Sequence, residues 1–321
     1  MAPVQTFLAT ALSLAALSSA RPYNNNTPRQ ADCDCYKASS DTSKLYGNRK
    51  FFDWRNIENP STPDPIAGRD ADKNAGNTHP YFSTSDWTEW FRIQSWDQEP
   101  GQNGADSTVF RVNSANNVFI APSDDGDDSS ASHLTLRAVR QDDYYSTAEA
   151  ESVIQDFEYL SFRYLARTVG DDGAVTSIFT YISGTQEADS EIRTFTDRHE
   201  IAFTNQPGNI DGEPQPEASR TVQLEKPWTE WQEYRYDWTP GSSDWWMDGE
   251  KVASIQFQAP TDPLLVIMNV WGDGGSWSDN MPVGGSAEMQ VQWLDITYNR
   301  AGNQPGEGDC SNVCVVDDLL S

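Results

Sequence analysis

Residues 234–255 read YRYDWTPGSSDWWMDGEKVASI, and their spacing decides the fold class. Tyr234, Tyr236 and Trp238 alternate with Arg235 and Asp237, the period of two that sets rings on one face of a half-buried strand and charges on the other. Further on, Asp248-Gly249 separates Trp245-Trp246-Met247 from a second strand-like run. An Asp-Gly pair suits a type I′ turn, whose central residues need positive φ and whose twist matches the strands it joins. An antiparallel hairpin is expected here.

The same composition recurs outward in both directions. FFDWRNI from position 51, STVFRVNS from 107, HLTLRAVR from 133, EYLSFRYLAR from 158, AVTSIFTYIS from 174, PLLVIMNVW from 263 and AEMQVQWLDITYN from 287 are dense in β-branched and aromatic residues between turn formers. No long amphipathic helix intervenes. The 12 Trp, 12 Tyr and 13 Phe supply bulky contacts between facing sheets and flat surfaces for sugar rings. The expected fold is all-β, a two-sheet antiparallel sandwich occupying residues 46–299 as one domain.

The ends differ in character. Residues 1–20 join a short apolar run to the small residues Ser18 and Ala20, which reads as a signal peptide. No later stretch approaches the roughly 18 apolar residues of a membrane span, so a secreted protein, extracellular or in the cell wall, is expected. Residues 21–45 form an N-terminal surface arm with Cys33, Cys35 and a glycosylation match at Asn25, and residues 300–321 a tail with Cys310 and Cys314. In an oxidising compartment these cysteines should bridge arm to tail, with the pairing open. The 49 acidic and 22 basic residues give a net charge of −27. That charge repels phosphate backbones and anionic bilayers, so nucleic acid and membrane are not expected partners, while a neutral polysaccharide is not penalised. A monomer is expected.

Candidate chemistry sits in TYISGTQEADSEIRTF, from position 180, where Glu187, Asp189 and Glu191 alternate and so face one side of a strand. A row of acids beside the apolar run Ile178–Ile182 is costly unless it lines a cleft that uses it. Glycoside hydrolysis uses one carboxylic acid to protonate the leaving oxygen and one carboxylate to attack or to activate water. Crowded like charges hold one proton to higher pH, which favours Glu191 as acid beside an ionised Glu187 as nucleophile. No cofactor or metal is expected. The spacing of Asp70, Asp72 and Asn74 fails as an EF-hand because Ala75 and Tyr81 stand where Gly and Glu are needed, and Asp124–Asp128 reads as a solvated loop. His79, His133 and His199 lack the nucleophile elbow of a hydrolase triad.

These residues resemble secreted fungal members of glycoside hydrolase family 16. The segment Gln186 to Glu191 matches the E-x-D-x-(x)-E signature in its shorter form, and it is followed by Phe203-Thr204-Asn205-Gln206-Pro207. The resemblance continues through Tyr236-Asp237-Trp238-Thr239-Pro240-Gly241, the Trp245 to Gly249 hairpin, and residues 269–277, NVWGDGGSW. It runs from about Leu45 to Asn299. It implies a concanavalin A-like jelly roll and a retaining, endo-acting attack on β-1,3- or mixed β-1,3/1,4-glucan. Glu187 takes the place of the nucleophile, Asp189 of the assisting acid and Glu191 of the acid/base.

Two departures matter. Ser190 stands where the family usually has a bulky aliphatic residue, and is expected to loosen packing beneath the catalytic strand. Arg193, two positions past Glu191, is expected to pair with it and weaken it as a proton donor. A non-catalytic lectin-like protein is therefore an alternative reading, as is a wall transglycosylase that passes the glycosyl group to a sugar. Trp271 and Trp277 are read as sugar-stacking residues, and Asn205 and Gln206 as amides for sugar hydroxyls. Trp87, Trp90 and Trp96 are read as core.

Overall fold

The computed structural model describes residues 33–102, 106–125 and 130–320. The expected signal peptide, Asn25 and the centre of the 124–128 acidic run lie outside the described residues.

Burying every second side chain on one face drives the chain into two antiparallel layers over a common core, a jelly-roll-like sandwich. The front sheet runs, in spatial order, Phe91–Ile93, Tyr144–Ser152, Leu265–Trp271, Val175–Ser183, Gln186–Arg193, Glu200–Asn205 and Ser219–Gln223. In the back sheet the long strand Ser286–Arg300 pairs with Phe157–Gly170, which leads to Gln232–Thr239, Ser242–Met247 and Glu250–Ile255. On its other edge Ser286–Arg300 pairs with Ser132–Arg140 and, further along, with Asn48–Asp53. Ile178, Ala188, Ile192, Ile201, Phe203 and Met268 from the front meet Phe162, Tyr164, Tyr234, Tyr236, Trp245 and Ile296 from the back. Phe203 stacks on Trp245 with ring centroids 5.1 Å apart.

The hairpin forms as read: Asp248 and Gly249 have φ of 47° and 87°, between Met247 and Glu250, which pair. The strand before it departs from the reading. Arg235 and Asp237 were expected to face water, yet both are buried as an ion pair of 2.5 Å. The arm and the tail cover them. Cys33 bonds to Cys314 and Cys35 to Cys310, and Cys35–Lys37 runs parallel to Val313–Val315. This layer has its own apolar cluster of Tyr36, Ala38, Tyr46 and Val316. Arg163 reaches out of the back sheet to the Ala38 carbonyl at 2.6 Å and to Asp317 at 2.6 Å. From Cys33 on, the arm is therefore a docked layer rather than a loose surface segment, because bridging to the tail and satisfying buried arginines gave it something to bury.

Candidate active site

The acidic strand Gln186–Arg193 lies inside the front sheet, with Glu187 opposite Tyr181, Glu191 opposite Ser177 and Asp189 opposite Thr204. Ala188, Ser190 and Ile192 turn into the core. Glu187, Asp189 and Glu191 therefore all project to the outer face, into a groove of about 370 Å³ lined also by Phe179, Tyr181, Ile267, Asn269 and Trp271.

Both glutamates keep part of their surface open to the groove, but enough protein surrounds each carboxyl for desolvation to dominate its ionisation. Burial pushes Glu187 up to about 7. A hydrogen bond from Asp189 works against this, and the charge of Glu191 adds to it. Asp189 is raised well above the carboxylate range by burial, then by the charge of Glu187. Gln206 Nε2 donates to Asp189 Oδ2 at 2.8 Å, while Gln206 Oε1 accepts from the Gly208 amide at 2.6 Å. Glu191 rises to about 8 through burial and then the charge of Asp189, opposed by Trp277 and Arg193. The group can thus hold a neutral acid and an ionised carboxylate together near neutral pH.

Arg193 departs from its expected role. Its guanidinium turns to Glu200, 2.8 Å away, and its effect on Glu191 is outweighed by burial. Ser190 faces a cavity of about 10 Å³ between the sheets, bounded by Ile192, Ile201, Tyr164, Tyr234 and Met289. The gap lies under the acidic strand and is no larger than about one water.

The expected sugar-contacting residues divide. Trp271 lines the groove, though Arg111 lies 5.4 Å from its ring. Trp277 is 41% exposed and donates from Nε1 to Glu191 Oε2 at 3.2 Å. Gln206 reaches the site as the partner of Asp189, with both ends of its amide engaged. Asn205 does not reach the site: it is 0% exposed and donates to the Ile255 and Phe257 carbonyls at 3.3 and 3.0 Å. It shares register and face with Ala188, so its amide ties the sheets together instead of meeting sugar.

Several groove residues escaped the sequence reading. Trp87 is core as read, but Trp96 lines the groove and donates to Glu149 Oε1 at 3.1 Å. Glu149, raised by burial and opposed by Arg111, stands with Glu151 on the strand Tyr144–Ser152. Arg111 sits 4.8 Å from the Trp96 ring and donates to Gln98 Oε1 at 2.5 Å. The Ala148-Glu149-Ala150-Glu151 alternation, small side chains inward and acids outward, was the available signal. None of the histidines is among the groove-lining residues.

A protein-family model for glycosyl hydrolases family 16 matches residues 112–295, more than half of the chain and inclusive of the acidic strand. The chain belongs to glycosyl hydrolases family 16. Among solved structures, the family 16 chain is similar to a Bacillus licheniformis β-glucanase, at 21% identity over 66% of this chain and 94% of that one, with a TM-score of 0.51. It is similar to a prokaryotic β-1,3-1,4-glucanase (lichenase) from a mouse hindgut metagenome, at 16% identity over 78% and 99% with a TM-score of 0.52. It also resembles an endo-β-1,3-glucanase from Pyrococcus furiosus, at 12% identity over 80% and 96% with a TM-score of 0.53. At these identities the likeness is one of fold. No curated protein sequence matches the family 16 chain.

Proposed function

We propose that this family 16 protein is a secreted, endo-acting hydrolase of β-1,3- or mixed β-1,3/1,4-glucan that works by retaining double displacement. One observation carries the reading: Glu187, Asp189 and Glu191 share one face of a groove and hold protons unequally. In the first step the ionised Glu187 attacks the anomeric carbon while Glu191 gives its proton to the glycosidic oxygen, which leaves as an alcohol. Asp189, protonated, donates to Glu187 and steadies its charge before attack. In the second step Glu191, now ionised, takes a proton from water as the water oxygen attacks the glycosyl ester, and Glu187 departs as carboxylate.

The open, aromatic-lined groove favours internal binding of a neutral glucan. The arm-to-tail disulfides support export, since such bonds persist in oxidising compartments, and residues 1–20 are proposed as the exporting leader. The lectin-like reading rested on Ser190 and on Arg193 weakening Glu191, and the turn of Arg193 to Glu200 weakens the second of these grounds. Laminarin, lichenan, xyloglucan and chitin should be incubated side by side with wild type, Glu187→Gln and Glu191→Gln. Reducing ends are expected from laminarin or lichenan, with a loss of at least 1,000-fold in both variants, the scale of removing a nucleophile or acid. Full activity in either variant would exclude the assignment, and transfer to an added acceptor oligosaccharide in place of hydrolysis would favour the transglycosylase.

A further inference from the structure

We infer that Trp277 is a positioning residue for Glu191: its indole N–H holds Oε2 and leaves Oε1 as the oxygen that carries the transferable proton. The kinetic consequence rests on the catalytic reading above; the contact itself does not.

The geometry is built from several sides. Trp277 Nε1 lies 3.2 Å from Glu191 Oε2. An indole N–H can only donate, so the oxygen it meets must accept, and in the neutral acid the carbonyl-type oxygen is the stronger acceptor. The chain on both sides of Trp277 is pinned. Ser276 donates from its backbone and its hydroxyl to Asp106 Oδ2, at 2.9 and 2.5 Å. Ser278 Oγ donates to Asp273 Oδ1 at 3.0 Å, and Gly275 N donates to the same oxygen at 2.9 Å. The indole is fixed from a third direction by the Arg193 guanidinium, 4.4 Å from its ring centroid and anchored to Glu200 at 2.8 Å. A cation over an aromatic face attracts it, so Arg193 steadies the ring that steadies the acid. This gives Arg193 a part that pairing with Glu191 would have denied it.

Glu149, Glu151 and Arg111 face the same groove as Glu191 from other strands. Glu187, Asp189 and Arg193 share its strand, and Glu200 on the adjacent strand is engaged by Arg193. The residues directly opposite, Ser177 and Ala202, carry no charge. Trp277 is the contact from the loop.

Trp277→Phe keeps a ring at this exposed position and removes the donor; Arg193→Met removes the clamp. Both should be compared with wild type for kcat and KM on the glucan cleaved, across pH, and by carbon-13 titration of the Glu191 carboxyl. For Trp277→Phe the expectation is a kcat lower by about tenfold or more, the worth of a hydrogen bond to a charged group, with a much smaller change in KM. Its alkaline limb and its Glu191 titration should both move to higher pH, because a donor that favours the carboxylate is gone. Arg193→Met should move both the same way. A raised KM with unchanged kcat, limb and titration would reduce Trp277 to a sugar platform and overturn the inference. If wild type cleaves none of the glucans, the catalytic reading fails by itself. The titration still decides the contact, upward movement supporting it and no movement refuting it.

Discussion

Glu187 and Glu191 are chemically the same side chain, and what surrounds each carboxyl separates the tasks proposed for them. Asp189 donates to Glu187 and helps it ionise, whereas burial above all keeps Glu191 neutral to about 8. The proposed mechanism needs Glu187 charged and Glu191 protonated, so kcat/KM should follow a bell with its acid limb near 7 and its alkaline limb near 8. Assay across pH on a soluble glucan measures it. With an aryl glycoside whose leaving group needs no proton, Glu191→Gln should lose the alkaline limb, and a limb that persists there would assign it to another group. The pair was legible because neighbours on one strand advertise themselves by alternation. Asn205 was misread for the opposite reason: its amide binds the Ile255 and Phe257 carbonyls, contacts far along the chain that no local pattern encodes. Trp96 and Arg111 likewise reach the groove only through tertiary folding.

Strands were legible wherever β-branched and aromatic residues carried the alternation, and least so where small residues did. Tyr144–Ser152 was passed over because Ala, Ser, Thr and Glu have modest strand propensity, yet its alanines are buried against the core and its glutamates line the groove. The outer face of Gln232–Thr239 was taken as solvated since alternating charges say nothing of a layer added from the arm and the tail. The hairpin was the clearest element, as positive φ at adjacent residues admits few sequences. Gly249 has φ of 87° and open space where a Cβ would lie, so Gly249→Ala should cost about 1–2 kcal/mol through backbone conformation alone. Denaturant unfolding measures this. An unchanged midpoint would mean that the turn relaxes into another type at no cost.

For the whole molecule, the site and the stability of the fold pull against each other. Asp189 and Glu191 sit in the sheet as acids whose neutral forms are favoured by burial, an arrangement useful for proton donation and unfavourable once the protons leave. The unfolded chain releases the Glu191 proton near its ordinary 4.5, while the folded protein keeps it to about 8. Between those values the native state binds more protons than the unfolded state, so stability declines as pH rises through the window. The net charge of −27 adds general repulsion in the same direction, so wild type alone cannot isolate the site. Glu191→Gln can, because the amide has no proton to lose. The stability of the variant relative to wild type should be constant below about 4.5, climb as pH rises, and level off above about 8. Thermal or denaturant unfolding of both proteins from pH 4 to pH 9 reads this difference directly. A difference that stayed level across the whole range would mean that Glu191 ionises alike in both states, and the groove would then hold no reserve of protonated acid for catalysis.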